Sequence, residues 1–202
     1  MKCVLNVGGG GKHIPIPAHY DGWDQVILDI DDAGDPDLVI DARELTTLPA
    51  GIYDAVYCSH NLEHYWRHDV PRVLAGFAHV LAPHGFAEIA VPDLMAVFGA
   101  MQKRSLDLDD VLYVSPSGPI TVNDVIYGYG VQIERSGNDF YAHKNAFTTK
   151  SLAKALATAG LPVAYTRCRD FEIRAFAFKR APVRERVEAL ALGELLAAPG
   201  ED

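Results

Sequence analysis

The chain is 202 residues long and carries 18 basic against 27 acidic side chains, a formal charge of −9. That length suits one α/β domain with at most an inserted lid, and it is ample for a full core. A hydrophobic content of 49% with 22% charged residues excludes a largely disordered chain.

The acidity is concentrated at one end. Residues 1–64 hold eleven acids against three bases, a net of −8, which leaves −1 for the rest of the chain. A surface for phosphodiester backbones needs the opposite bias, because its affinity comes from Lys and Arg displacing counterions. Nucleic acid is therefore not expected as a partner. Cys3, Cys58 and Cys168 are far apart and form no CxxC pair, so they read as small buried thiols in a reducing compartment. The start is too short for a signal-peptide core, and no stretch approaches the roughly 20 apolar residues of a membrane span. The expected location is cytoplasmic.

Short apolar runs alternate with helical patterns, as in a parallel sheet with crossover helices. Cys3–Val7 reads as a first strand, ending at the glycines Gly8–Gly11. Further strands are expected at Gln25–Ile30, Asp37–Ile40, Tyr53–Cys58 and Phe86–Val91, the last stopped by Pro92. Val70, Val73, Leu74, Phe77, Val80 and Leu81 fall at helical spacing, with Pro71 tolerated in the first turn and Pro83-His84-Gly85 breaking the helix. Between about 103 and 147 the periodicity lapses among prolines, glycines and four of the nine tyrosines, which predicts a lid or binding loop. It follows the fifth strand and so lies at the carboxyl side of the sheet, where open α/β folds bind ligands. Thr148 and Thr149 cap a helix that runs to Ala159. Leu161–Cys168 and Phe171–Phe178 read as an antiparallel pair, and about 183–197 as a terminal helix that covers the sheet edge or pairs two copies in a homodimer.

The glycine run follows a strand, where nucleotide-binding folds let the backbone approach a ligand. Asp29 closes the second strand nineteen residues beyond Gly10, at the place of a ribose-binding carboxylate. A P-loop fails because His13 follows Lys12. A pyrophosphate site needs a helix directly after the glycines, and Pro15 and Pro17 disrupt one. A phosphate-free nucleoside bearing a sulfonium cation suits the acidic segment, which points to S-adenosylmethionine.

The ordered series LNVGGGGK, VILDID, DLVIDARELTTLP, YDAVYCSHNLEH, VPRVLAGFAHVLAPHGFAEIAVPD and FTTKSLAKALATAGL resembles the small class I SAM-dependent methyltransferases of the type 11 kind, over about residues 3–180. It is most similar to those with a shortened segment after the glycine loop. The resemblance implies a single domain on a three-layer, doubly wound, Rossmann-like α/β sheet, mostly parallel with a C-terminal antiparallel hairpin. It further implies that Gly8, Gly9 and Gly10 pass under the methionine moiety of the cofactor. Asp29 would accept both ribose hydroxyls, Ile30 pack on the adenine, Asp41 take the adenine amino group and the Ala42 N–H its ring nitrogen. Ser59 and His60 would lie near the methyl group. Asn6 and Lys12 depart from the family pattern, which commonly has an acid and a third glycine there, and Asp31 rivals Asp29 as ribose ligand.

His60-Asn61-Leu62-Glu63-His64 fits the HxxEH pattern of inverted zinc peptidases, and His68 continues the spacing. That motif belongs within a long helix, whereas His60 follows a strand directly. Hydrogen-bonded loop histidines, with no metal, are expected instead. His143 is a candidate general base, or else a capping histidine. Tyr127, Tyr129 and Tyr141 either line an acceptor site or pack the lid. The expected function is methyl transfer from S-adenosylmethionine to a small molecule of sugar or cell-envelope type. The alternatives are a nucleoside-binding module without transfer activity and the zinc peptidase.

Overall fold

The computed structural model describes residues 1–193. Five strands come in parallel: β1 (Cys3–Val7), β2 (Asp24–Asp29), β3 (Leu38–Val39), β4 (Tyr53–Ser59) and β5 (Leu81–Pro92). Helix α1 (Val70–Val80) leads into β5, and α2 (Leu94–Arg104) leaves it. The lid then forms a hairpin, β6 (Val111–Ser115) and β7 (Gly118–Thr121), and two short helices, α3 (Val122–Tyr127) and α4 (Gly130–Ser136). Helix α5 (Thr149–Thr158) precedes the antiparallel pair β8 (Val163–Arg169) and β9 (Glu172–Phe178), and α6 (Arg184–Ala189) follows. The main sheet has the order β3-β2-β1-β4-β5-β9-β8, with β9 antiparallel to β5. This is the mostly parallel Rossmann-like sheet with a terminal hairpin that the sequence predicts.

The two faces are covered unequally. On one, α1 and α5 bury Leu74, Phe77, Leu152 and Leu156 against Leu5, Val56 and Ile89 of the strands. On the other, Tyr20, Phe86, Phe176 and Phe178 cluster under the chain from Ile16 to Trp23 and under Leu190 and Leu192. The long segment between β1 and β2 holds only a three-residue 3-10 turn, Ala18–Tyr20, capped by Pro17. Two prolines in three residues prevent a regular helix there. The second layer is correspondingly thin.

Several boundaries differ from expectation. β2 ends at Asp29, so Ile30 stands beyond it, 40% exposed. β5 begins at Leu81, without the intervening break, because Leu81 pairs with Tyr53 before a bulge that restores register at Phe86. The region beyond 103 is not structureless: Leu112, Ile120, Val122 and Val125 of the lid form a small core with Val97 of α2. The part of the predicted terminal helix beyond residue 193 lies outside the described residues. No helix among the described residues is long and apolar enough to cross a membrane.

Helix α3 starts with a capping box. The Asp124 N–H donates to Thr121 Oγ1 at 3.1 Å, while Asp124 Oδ2 accepts the Thr121 N–H at 2.9 Å. Oδ1 accepts the Gly130 N–H at 2.9 Å, tying α4 to the same carboxylate. Burial pushes the Asp124 carboxyl up, but these donors outweigh it and hold it below its ordinary value. A carboxylate so depressed adds stability above its unfolded pKa of about 3.9, and that stability is lost as pH falls through the folded value. Amides of 121–130 should therefore lose hydrogen-exchange protection below about pH 4 sooner than those of β1 and β4. Asp124→Asn should remove that difference, and equal loss in both regions of the wild type would refute the tie.

Candidate active site

Two regions meet at the carboxyl end of the parallel strands. The first is the glycine-loop crevice. Gly8 and Gly10 adopt φ of +70° and +63°, which only glycine holds without cost. The loop is gripped from beneath by two amides: a Cβ on Gly8 would run into the Asn61 side chain, and one on Gly9 into that of Asn6. Gly34 presses from the far side, where a Cβ would collide with the Gly10 carbonyl. Asn6, Asn61 and Gly34 are thus supports of the loop that spacing alone did not single out.

Asp29 and Asp31 part company here. Asp29 Oδ2 accepts the Gly10 N–H at 2.9 Å and Oδ1 the Asp31 N–H at 3.0 Å, so its carboxylate faces the glycine loop. Each oxygen keeps a lone pair for a further donor. Asp31 instead caps the 3-10 turn Asp32–Gly34 by accepting the Ala33 N–H at 3.0 Å. Asp41 caps the turn Ala42–Thr47, and its Oδ2 receives Arg43 Nε and Nη2 at 2.9 and 2.6 Å. Burial pushes the Asp41 carboxyl up, but Arg43 outweighs it and holds it below its usual range. The crevice offers acceptors, glycine backbone and the exposed Ile30, with Lys12 drawn away to Asp37 at 2.6 Å. That donor set fits a nucleoside with a cationic group and no phosphate, as S-adenosylmethionine is.

The second region is a cleft of about 480 Å³ under the lid, walled by His60, Pro92, Tyr113, Tyr129, Phe171 and Glu172 among others. His60, at the end of β4 with φ +49°, turns its ring to Glu172, Nε2 to Oε2 2.9 Å, and to Glu63, Nδ1 to Oε1 3.4 Å. Burial opposes its charge, but the two carboxylates prevail and the imidazole is pushed up to about 10. Glu172 is in turn held below the usual carboxylate range: burial works against this, and His60 and Arg174 outweigh it. Phe171 occupies the left-handed region at φ +66°, an unfavourable position for a bulky residue. It is kept there by stacking on Tyr113, centroids 5.8 Å apart, and by the Asp93 N–H donating to its carbonyl.

The expected tyrosines divide. Tyr129 lines the cleft, whereas Tyr127 is 63% exposed and neither it nor Tyr141 forms the wall. Gly128, at φ +99°, turns the chain between Tyr127 and Tyr129 so that the two diverge. Tyr113 takes the place expected of them. His143 does reach the cleft, with Nδ1 2.9 Å from the Val125 carbonyl, so Nε2 carries the free lone pair. Burial lowers its pKa, against the pull of the Glu63 charge. Leu62–His64 is a single 3-10 turn, so the HxxEH residues do not form the helical face a zinc peptidase requires.

Residues 1–166 match the family described as methyltransferase domain. Among solved structures, the chain is similar to a SAM-dependent methyltransferase from Archaeoglobus fulgidus, at 15% identity over 87% of this chain and 85% of that one, with a TM-score of 0.56. It is also similar to the 1,6-didemethyltoxoflavin-N1-methyltransferase of Burkholderia thailandensis, solved with 1,6-didemethyltoxoflavin and S-adenosylhomocysteine. That match has 16% identity over 89% and 71% of the two chains and a TM-score of 0.52. Identities this low speak for a shared fold. No curated protein matches the sequence.

Proposed function

The chain belongs to the methyltransferase domain family and is a class I enzyme dependent on S-adenosylmethionine; from that premise we propose that its acceptor is a small molecule bound in the cleft under the lid. The observation that carries this reading is the cleft itself. Its volume of about 480 Å³ suits a single small ligand, and its residues His60 and Pro92 lie at the carboxyl ends of β4 and β5, beside the glycine loop. The Burkholderia enzyme, solved with 1,6-didemethyltoxoflavin and S-adenosylhomocysteine, supports a small molecule as acceptor.

The glycine loop, Asp29, Ile30, Asp41 and Ala42 would hold the cofactor, with Ser59 at the boundary of the two regions. When bound, it supplies an electrophilic methyl group on sulfur. The chain's part is to present the acceptor in line with that methyl and to keep water out. Stacked Tyr113 and Phe171 offer an apolar ring face, and Glu172 and Asp124 offer acceptors at the wall. A polyhydroxylated ring of sugar or cell-envelope type satisfies both. The three free cysteines suit a reducing compartment such as the cytoplasm.

Calorimetry with S-adenosylhomocysteine, followed by transfer of labelled methyl to a panel of sugar nucleotides, peptides and RNA, tests the reading. Label should enter small molecules. Tyr113→Ala removes a ring face against which the acceptor would pack; loss of a contact worth about 1 kcal/mol should raise the acceptor KM about fivefold with S-adenosylhomocysteine affinity unchanged. Label entering only macromolecules, or a Tyr113→Ala variant that loses cofactor and acceptor binding together, would refute it.

A further inference from the structure

His143 lines both the cleft and a small adjoining void, and that void is lined by the buried carboxyl group of Glu63, which the proposed function does not use. The Glu63 side chain is 1% exposed, neither carboxylate oxygen accepts a hydrogen bond of good geometry, and its nearest cationic neighbour is His60, Nδ1 3.4 Å from Oε1. A buried carboxylate is ordinarily paired, hydrogen-bonded or bound to a metal ion, and the His60 contact reaches Oε1 alone, leaving Oε2 with none. Around it stand imidazoles. His143 Nε2 lies 3.9 Å from Oε1, and the His64 ring meets that of His143 edge-on, centroids 4.9 Å apart. One ligating atom each from Glu63, His64 and His143 falls within 4.8 Å of the other two.

The backbone makes this juxtaposition rigid. Lys144 N–H and Asn145 N–H both donate to the Glu63 carbonyl, at 2.8 and 3.1 Å, and His143 N–H donates to Tyr127 at 2.9 Å. The bond from His143 Nδ1 to the Val125 carbonyl fixes the ring and aims Nε2 inward, the outer-shell arrangement usual for a metal-ligating histidine. His64 has a carbonyl oxygen near each ring nitrogen, Ala142 at 3.1 Å and His60 at 3.2 Å. A neutral ring donates to one of them, and its other nitrogen faces an oxygen with no proton between.

We propose that Glu63, His64 and His143 bind one divalent transition-metal ion beside the lid cleft, which the ligand His143 also lines. Two imidazoles and a carboxylate suit Zn²⁺, Co²⁺, Fe²⁺ or Mn²⁺, whereas Mg²⁺ and Ca²⁺ favour oxygen ligands throughout. Three protein ligands leave room for an oxygen of the acceptor, so the inference deepens the reading of the cleft and rests on it. His143 is then a ligand, in place of the free base expected from its position in the sequence. His68, which shares the helical spacing of His60 and His64, takes no part: its side chain is 79% exposed and lies 3.8 Å from Asp69.

The test is Co²⁺ titration of untagged, chelator-stripped full-length protein, with no cofactor or acceptor present. One ion per chain should bind and give visible ligand-field bands, and the NMR spectrum should show paramagnetically shifted ring protons from two histidines. Glu63→Gln and His143→Gln should lose more affinity than the roughly 10- to 100-fold that outer-shell changes produce, while His68→Ala should bind as the wild type does. S-adenosylhomocysteine affinity of the same samples reports separately on the crevice and on folding. Wild-type protein that binds S-adenosylhomocysteine but no stoichiometric Co²⁺ or Zn²⁺ would overturn the proposal. So would Co²⁺ whose shifted resonances come from no histidine, a result independent of whether any variant folds.

Discussion

Asp29→Ala should lower the affinity for S-adenosylhomocysteine by at least 10²-fold, whereas Asp31→Ala should change it only a few-fold. The two carboxylates are two residues apart and equal in charge, so the contrast rests on what each one holds. Asp29 ties the end of β2 to the glycine loop through the Gly10 N–H and still has a lone pair on each oxygen. Hydrogen bonds to a charged group are worth about 1.5–3 kcal/mol each, and two ribose hydroxyls lost together give about 3–6 kcal/mol. That is roughly 10²- to 10⁴-fold in affinity. Asp31 caps one 3-10 turn, and replacing a cap by alanine costs about 1 kcal/mol of local stability. Asp29→Asn tells the charge from the shape: it keeps the volume and one acceptor, and should fall between wild type and Asp29→Ala. Calorimetric titration of the three variants decides the matter. Equal losses in Asp29→Ala and Asp31→Ala would show that the crevice is read wrongly.

The parallel core was legible because buried strands have no solvent face and read as unbroken apolar runs, as β1, β4 and β5 do. The glycine loop was legible from the residue type, and Asp29 from its place at a strand end. What escaped was set by contacts remote in sequence, or by elements with little apolar stripe. Helix α2 buries only Val97 fully and exposes Met95 and Phe98, so its apolar residues trace no single face. The lid hairpin is rich in proline and glycine, at Pro116, Gly118 and Pro119, and its order comes from a core shared with α2 and α3. Glu63 and His143 are 80 positions apart, and the motif spacing pointed to His68 as third member when the fold supplies His143. A charge within an apolar strand is also invisible to periodicity, and Glu88 is such a charge.

Glu88 sits in the middle of β5, fully buried, opposite Tyr57 on one side and Phe176 on the other. Its Oε2 accepts the Tyr20 hydroxyl at 2.9 Å and lies 2.7 Å from His19 Nε2; its Oε1 accepts Arg174 Nη1 at 2.8 Å. Burial, then the Glu88 charge, keeps the Tyr20 hydroxyl protonated well beyond the ordinary tyrosine range, so it serves as a donor. These contacts pin the irregular segment after β1 to the sheet, on its thinly covered face. Removing one member of a buried ionic cluster costs about 3–5 kcal/mol, because the survivors stay desolvated without a partner. Arg174 retains Glu172 at 3.0 Å, which favours the lower part of that range. Glu88→Ala should therefore destabilise the protein by about 3 kcal/mol in urea unfolding and lower Tm by roughly 10 °C. Glu88→Gln preserves volume and hydrogen-bonding capacity and should lose about half as much. A cycle of Glu88→Ala with Arg174→Ala isolates the ion pair: the double variant should be more stable than the sum of the single losses implies, by about 1 kcal/mol or more. Additive losses would mean that Glu88 acts through Tyr20 and His19 alone, and an alanine variant within 1 kcal/mol of wild type would show that the cluster does not hold the thinly covered face.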